Sequence, residues 1–198
     1  MSTDGVNVNR RRLLVGATAA VGAVGVAGVA VPFVKSWNPS AKAKAAGAPV
    51  VADISQLEPG QRAVFEWRGK PVWVVRRTPQ MIEGLVAVER SLADPDSTAS
   101  NQPEYARNRG RSIKPEFAVL TGICTHLGCS PNFRPEVGAA DLGGADWLGG
   151  FFCPCHGSKF DLAGRVFSGV PAPTNLDVPP HTYESDSVLV IGLDAENA

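Results

Sequence analysis

The chain has 198 residues with 19 basic and 19 acidic side chains, which gives a formal net charge of zero. Residues 1–49 hold six Lys or Arg against one acid, and residues 50–198 hold thirteen against eighteen, so the larger part is mildly acidic. Because it has no basic stripe with interleaved aromatic residues, we expect no nucleic-acid partner. The length suits one domain with an appendage.

An apolar segment follows a group of arginines near the N-terminus. Residues 10–12 are all Arg, and residues 13–34 contain no charged side chain. As a helix, residues 13–34 would extend about 33 Å, which is enough to cross a bilayer core of roughly 30 Å. The sequence therefore predicts a transmembrane anchor over 13–34. The positive-inside rule places residues 1–12 in the cytoplasm and the rest of the protein on the opposite side.

The arginines beside the apolar run also resemble a twin-arginine (Tat) export signal. The following stretch "AKAKAAGA" contains A-x-A patterns that signal peptidases accept. The apolar run nevertheless exceeds the roughly 7–15 residues of a signal-peptide core, so we predict that the anchor is retained. Residues 35–50 are rich in Ala and interrupted by Gly and Pro, a composition typical of a flexible linker or hinge.

The remaining residues, 51–198, form the predicted head domain. "AVFEW" and "PVWVVRR" predict two strands joined by a turn that contains Gly, and "EFAVLTGI" and "SVLVIGL" predict two more. "KFDLAGRVFSG" predicts another hairpin. These patterns indicate a mainly β, antiparallel head.

A helix and a long loop interrupt the strands. In "TPQMIEGLVAVERSLA", Thr78 is placed to cap a helix and Pro79 to occupy its first position. The polar, Pro- and Gly-containing residues 94–112 then predict a surface loop. The apolar residues expected on the inner helix face are Met81, Ile82, Leu85, Val86 and Val88.

Two short segments contain all four cysteines and two of the three histidines: "CTHLGC" at 124–129 and "CPCHGS" at 153–158. Successive side chains of an extended strand point to opposite sides, so Cys153, Cys155 and His156 are not expected to bind one metal centre together. Six candidate ligands exceed the four of a closed site. The surplus pair, one from each segment, could form a disulfide.

Both segments resemble, residue for residue, the cluster-binding boxes of the Rieske iron–sulfur proteins of quinol–cytochrome c oxidoreductases. "GVPAPTNLDVP" at 169–179 resembles the proline loop of that family, and the N-terminal anchor also fits it. The resemblance implies a Rieske-type β-sandwich with a small cluster-binding subdomain at about 121–175. It also implies a 2Fe-2S cluster, in which Cys124 and Cys153 hold one iron and His126 and His156 hold the other. Further implied are a Cys129–Cys155 disulfide and a hydrogen bond from Ser158 to a cluster sulfur.

The resemblance also implies a function. The protein is expected to take one electron, coupled to a proton, from a membrane quinol and to pass it to a c-type cytochrome. It would be the electron-transfer subunit of a dimeric, membrane-embedded cytochrome bc complex, with His156 meeting the quinol at a cytochrome b subunit. The expected location is the bacterial inner membrane, single-pass, with the head on the periplasmic side, because a structural disulfide persists in an oxidising compartment.

Four residues within or beyond the boxes lead to further expectations. Gly128 and Gly157 leave room for backbone N–H groups to approach sulfur, which raises the potential of an iron–sulfur cluster. Phe160 stands where high-potential members of the family usually have a tyrosine that bonds a cysteine sulfur, so we predict a lower midpoint potential. His181 lies outside both boxes and is predicted to be a surface or turn histidine.

Other classes of protein carry related boxes. A structural zinc site built from the same four side chains is chemically sensible. A soluble Rieske ferredoxin or oxygenase subunit generally lacks the extra cysteine pair and an anchor, so residues 129, 155 and 13–34 argue against it. The small Rieske subunit of an exported oxidoreductase such as arsenite oxidase is the main alternative. A photosynthetic bf-type complex is less favoured because of the insertion at 79–115.

Overall fold

The computed structural model describes Gly5 and residues 7–194, which separate into two compact units with the division between residues 45 and 46. Helix α1 (Val8–Ser36) is capped by Asn7, whose side chain accepts a hydrogen bond from the Arg10 N–H. The cap explains why α1 begins before residue 13 and includes the arginines. Among the described residues, the stretch that begins with α1, Val8–Ala45, is the one that is long and apolar enough to cross a membrane, and its most apolar 18 residues have a mean hydropathy of 2.1.

The predicted linker is partly helical. Helix α2 (Ala41–Ala46) begins after Ser40, whose hydroxyl oxygen accepts a hydrogen bond from the Ala43 N–H. Alanine and lysine are both strong helix formers, so this Ala- and Lys-rich stretch forms one short helix.

The head contains nine strands and helix α3 (Pro79–Ala87) within its described residues. The strands form three antiparallel sheets with the orders β1-β9-β8, β2-β3-β4 and β5-β6-β7. This arrangement confirms the predicted antiparallel β fold. The strands are β1 (Val50–Asp53), β2 (Arg62–Trp67), β3 (Lys70–Arg76), β4 (Phe117–Thr121), β5 (Asn132–Arg134), β6 (Gly150–Phe152), β7 (Lys159–Asp161), β8 (His181–Tyr183) and β9 (Val188–Ile191).

The β2-β3-β4 sheet separates two apolar cores. Val72 and Val74 of β3 pack with residues of β1 and β9 on one side. Trp73 and Val75 point the other way and pack in the core that contains the buried cysteines. Successive side chains of a strand alternate between faces, so a strand covered on both sides has no polar face. This explains the uninterrupted apolar run "VWVV".

The β5-β6-β7 sheet lies against this second core. Phe133, Phe151 and Phe160 are direct cross-strand partners, one from each strand. The ring of Trp73 stacks on Phe151 with their centroids 4.9 Å apart. These aromatic contacts join the central sheet to the sheet whose strand ends carry the second cysteine box.

Helix α3 starts as predicted. Thr78 caps it by accepting a hydrogen bond from the Met81 N–H, and Pro79 is its first residue. Leu85 and Val88 are buried, but Val86 is 52% exposed, so its predicted inward position is wrong. Val86 is one residue from Leu85, and a single helical step rotates the side chain about 100° away from the buried stripe.

The segment at 94–112 is not a simple surface loop, which corrects the prediction. Asp94, Ser97, Arg111 and Ser112 are all buried. The Asp94 carboxylate accepts hydrogen bonds from backbone and hydroxyl groups of residues 98–100. Polar side chains can be buried when each finds such partners, and polarity of the sequence does not reveal those partners.

His181 is also corrected: it is 0% exposed and begins strand β8. Its Nδ1 lies 2.9 Å from the Pro179 carbonyl oxygen, and its backbone N–H donates to the Tyr105 hydroxyl at 2.8 Å. Burial lowers the pKa of His181 below its ordinary value of 6.5, although the Pro179 carbonyl opposes that shift. The histidine therefore belongs to the neutral core of the head.

This burial predicts a pH dependence of stability. Below pH 6.5 the unfolded chain binds a proton at His181 more readily than the folded head does, so the free energy of unfolding falls as the pH falls. The slope from this one group reaches at most about 1.4 kcal/mol per pH unit. Denaturant unfolding of wild type and His181→Gln between pH 7.5 and 5 measures it. A difference between the two proteins that stays constant with pH would contradict the prediction.

Candidate metal centre

The two cysteine boxes form loops with the same backbone hydrogen bonds. In each, the N–H of the first cysteine donates to the carbonyl oxygen five residues later, and a glycine N–H donates back to the carbonyl of that cysteine. The N···O distances are 2.7 and 3.1 Å in loop 124–129 and 2.8 and 2.9 Å in loop 153–158. The glycines, Gly128 and Gly157, have φ values of +84° and +79°, a region that L side chains rarely adopt. This backbone conformation turns each loop so that the glycine N–H donates to the carbonyl oxygen of the first cysteine.

The loops differ in which position carries the imidazole. His126 is the third residue of the first loop, whereas His156 is the fourth residue of the second. Cys155 occupies the third position of the second loop, and it is bonded to Cys129 of the first. The structure thus contains the disulfide that the family resemblance implied, and the bond connects the two loops directly.

The two remaining cysteines meet in the core. Cys124 and Cys153 are free thiols, 3% and 2% exposed, and their side chains are hydrogen-bonded to each other. Burial raises the pKa of the Cys124 thiol, while hydrogen bonds from the backbone N–H of His126 and from the Ser158 side chain favour its thiolate. Cysteine binds a metal as the thiolate, so metal binding at these two side chains would release protons.

The histidines lie edge to face next to each other. The ring centroids of His126 and His156 are 4.7 Å apart, and their planes are 89° apart. Nδ1 of His126 is buried and has no hydrogen-bond partner among the described residues. An unpartnered buried nitrogen destabilises a fold by about 1–3 kcal/mol, so this atom is suited to bind a ligand. His156 is exposed.

The segment at 170–174 holds both loops. Its Ala172 N–H donates to the Ser158 hydroxyl oxygen at 3.0 Å, which leaves the Ser158 proton free to point to sulfur. Thr125 of the first loop donates to the Thr174 carbonyl at 2.7 Å. Ala172 is buried in the core that contains the thiols. Thr125 is therefore a site-supporting residue that sequence reasoning missed, since a threonine in a loop carries no distinguishing pattern.

The start of the first loop depends on a close approach. Trp73 packs directly on Gly122, two residues before Cys124, and a Cβ at Gly122 would lie 2.2 Å from the indole ring. Leu127, beside His126, is 71% exposed and so does not cover the thiols. Ala172 of the 170–174 segment instead packs in the core that contains the thiols, while His156 is exposed.

These residues fit an iron–sulfur cluster. Two buried thiols and two imidazoles form a soft nitrogen and sulfur donor set of the kind that iron–sulfur clusters and zinc accept. The sulfur atoms of Cys129, Cys153 and Cys155 all lie within 4.8 Å of one another. Two of these sulfurs belong to the disulfide and are unavailable to a metal, so the disulfide packs against the site without joining it.

Comparisons with known proteins agree with this reading. Residues 47–180 match the family described as "Rieske [2Fe-2S] domain", and residues 1–40 match "Ubiquitinol-cytochrome C reductase Fe-S subunit TAT signal". The chain is 60% identical over its full length to the ubiquinol-cytochrome c reductase iron-sulfur subunit of Allochromatium vinosum, covering 95% of that protein. It is 45% identical to the subunit of the same name from Blastochloris viridis, over 96% of this chain and 97% of that protein.

A solved structure titled "Hyperthermophilic respiratory Complex III" is also similar, at 28% identity and a TM-score of 0.48. The alignment covers 87% of this chain and 96% of that chain. The family matches and the full-length identities settle the classification without it. The chain belongs to the Rieske [2Fe-2S] proteins, in the family of ubiquinol–cytochrome c reductase iron–sulfur subunits.

Proposed function

We propose that Cys124 and Cys153 hold one iron of a Rieske 2Fe-2S cluster and that His126 and His156 hold the other. The observation that carries this proposal is the His126–His156 ring pair, whose centroids are 4.7 Å apart beside two buried thiols. Replacement of two thiolates by neutral imidazoles raises the reduction potential of a cluster. Rieske centres span roughly −150 to +300 mV, against about −400 mV for plant-type ferredoxins.

The protein transfers electrons from a membrane quinol to a c-type cytochrome, as the iron–sulfur subunit of a cytochrome bc complex. The bound cluster would supply a one-electron acceptor for the quinol. His156 is the exposed ligand, so its imidazole can reach a quinol held by a cytochrome b subunit and take the proton of the hydroxyl group. The neighbouring His126 is partly buried.

Other residues of the chain hold the two loops of the site in position. The Ser158 hydroxyl is oriented by the Ala172 N–H and can donate to a sulfur. The disulfide between Cys129 and Cys155 closes the two loops on each other. A preorganised environment of this kind requires little rearrangement when the charge of the site changes.

The N-terminal unit supports a membrane location. Residues 13–34 would form the single membrane span, with residues 1–12 in the cytoplasm and the head, residues 51–198, on the periplasmic side of a bacterial inner membrane. Residues 35–50 would serve as the hinge that lets the head reach both the quinol site and the cytochrome. A tethered head stays at high local concentration near both partners. The subunit would act within a dimeric complex.

Low-temperature electron paramagnetic resonance (EPR) of the reduced protein in its native membrane tests the proposal. We expect a rhombic signal with an average g value below that of the free electron, which an inhibitor of the quinol site alters. Iron and acid-labile sulfide should be present in equal amounts. A colourless anaerobic preparation with stoichiometric zinc and without labile sulfide would contradict the proposal.

Phe160 gives a second test of the site. Phe160 is fully buried in the core that contains Cys124 and Cys153, and it has no hydrogen-bond donor. Phe160→Tyr adds a hydroxyl group next to the sulfurs. A hydrogen bond that favours the reduced state by about 1 kcal/mol raises the midpoint potential of a one-electron couple by roughly 40 mV.

Phe133→Tyr is the matched control for this prediction. Phe133 is the cross-strand partner of Phe151, and strand β6 separates it from Phe160. It is only partly buried, so its added hydroxyl can form a hydrogen bond with water. Redox titrations followed by EPR should show the upward shift in Phe160→Tyr alone. An unchanged potential in that variant would mean that Phe160 acts only as a core residue.

A further inference from the structure

Three arginine side chains are fully buried in the head and converge on one turn. Arg77, Arg111 and Arg165 are each at most 1% exposed. The turn is residues 161–165, which begins at the end of β7, three residues after the second cysteine loop.

Each guanidinium donates a hydrogen bond to the turn. The bonds run from Arg165 Nε to the Asp161 carboxylate at 2.8 Å, from Arg77 Nη1 to the Leu162 carbonyl at 3.5 Å, and from Arg111 Nη1 to the carbonyls of Ala163 and Gly164 at 3.2 and 3.4 Å. Such an arrangement exceeds what is needed to stabilise a five-residue turn, since a glycine-containing turn forms readily by itself.

The charges of this cluster do not balance. The buried carboxylates among the described residues are Asp161 and Asp94, against three buried guanidinium groups. Two partly exposed carboxylates lie at the edge of the cluster: Glu89 is 3.8 Å from Arg165, and Asp177 attracts the charge of Arg111. Nη2 of Arg111 has no hydrogen-bond partner in the part of the chain that the structure describes. Burial lowers the pKa of Arg77 and of Arg111 to about 10, so both remain charged at neutral pH. Because water screens the two partly exposed carboxylates, the fully buried part of the cluster carries net positive charge.

This charge lies close to the proposed cluster site across apolar material. Asp161 follows Phe160, and Phe160 packs in the same core as Cys124 and Cys153. Three residues of extended chain separate Ser158 from Asp161, roughly 10 Å. Gly164 presses on Leu120 of that core, where a Cβ would lie 2.9 Å from the leucine. The residues between the turn and the site are buried, and a protein interior screens charges less than water does. The electric field of the arginines therefore reaches the site.

We propose that Arg77, Arg111 and Arg165 form a potential-setting group, whose buried positive charge stabilises the electron accepted at the cluster site and raises its midpoint potential. The proposal rests on the electron-accepting function proposed above. It gives this chain a source of potential that does not require a hydrogen-bond donor at position 160.

The test is a redox titration of the full chain in its membrane complex, followed by EPR, for four variants and the wild type. Arg111→Met removes one buried charge and should lower the midpoint potential, whereas Arg111→Lys keeps the charge and should stay near wild type. Asp161→Asn removes a buried negative charge at similar size and should raise the potential. Arg107→Met is the matched control in the same loop. Its guanidinium is exposed and pairs with the exposed Glu104, so its removal should leave the potential unchanged.

The opposite signs separate charge from mere loosening of the fold, which would shift all buried variants in one direction. If Arg111→Met does not retain the cluster, Asp161→Asn decides: an upward shift supports the proposal, and no upward shift overturns it. Equal shifts in Arg111→Met and Arg111→Lys, or a wild-type potential in Arg111→Met, also overturn it. Absence of the EPR signal from the wild type would instead contradict the proposed function.

Discussion

Cys153→Ser is expected to abolish the iron–sulfur site. Cys153 is one of two thiols that contact each other in the core, and a serine hydroxyl is a harder ligand that does not ionise at neutral pH. Iron and acid-labile sulfide in the purified variant should fall to background, and quinol–cytochrome c reductase activity should fall with them. The EPR signal of the reduced cluster should disappear.

The double variant Cys129→Ser/Cys155→Ser is the matched control for ligand loss. It removes two cysteines from the same two loops, including one that lies two residues from Cys153. Since neither sulfur is free to bind metal in the folded protein, iron and sulfide should remain present when the variant is prepared at low temperature. Retention of a normal cluster in Cys153→Ser, or its complete absence from the double variant, would reverse the assignment of ligands and disulfide.

The same double variant should be markedly less stable. The bond joins cysteines 26 residues apart, and closing a loop of that size stabilises a folded protein by about 3–4 kcal/mol in the chain-entropy model. For a head of this size that corresponds to a fall in Tm of roughly 10 °C. Thermal loss of cluster absorbance, compared with wild type under the same conditions, measures the change.

Reduction of the wild type provides the control for this second prediction. Dithiothreitol should bring the Tm of the wild-type protein close to that of the double variant and should leave the double variant unchanged. A double variant that melts within a degree or two of the untreated wild type would show that hydrogen bonds of residues 170–174 suffice to hold the loops together.

The two segments with the candidate ligands could be located from the sequence because their pattern is local. All candidate ligands lie within two six-residue segments, and each segment closes on itself through hydrogen bonds between its own first and last residues. A loop of this kind has nearly the same conformation wherever the fold places it. Strands β2, β3 and β4 and the cap of α3 were predictable for the same reason, since short apolar runs, a Gly turn and Thr78-Pro79 act over short distances.

The errors at His181 and at residues 94–112 concern contacts between residues far apart in the chain. His181 was misplaced because a three-residue strand gives no periodic pattern, and its burial depends on Tyr105, 76 residues away. The polar segment at 94–112 was misread because Arg111 finds its carbonyl partners at 163–164. Propensity and polarity describe a residue's own preferences, whereas burial depends on which partners the fold supplies.

By itself, the sequence determined the membrane-compatible N-terminal helix, the antiparallel β head and the two boxes that hold every cysteine. Only the tertiary structure showed that Ser158 and Thr125 form hydrogen bonds with residues 170–174. It also showed that the two loops have the same backbone hydrogen bonds and that three buried arginines contact one turn. The physical reason is the range of the interactions involved. Hydrogen bonds within a short loop are available to any chain with that loop, but buried charges are tolerated only where distant segments bring acceptors to them.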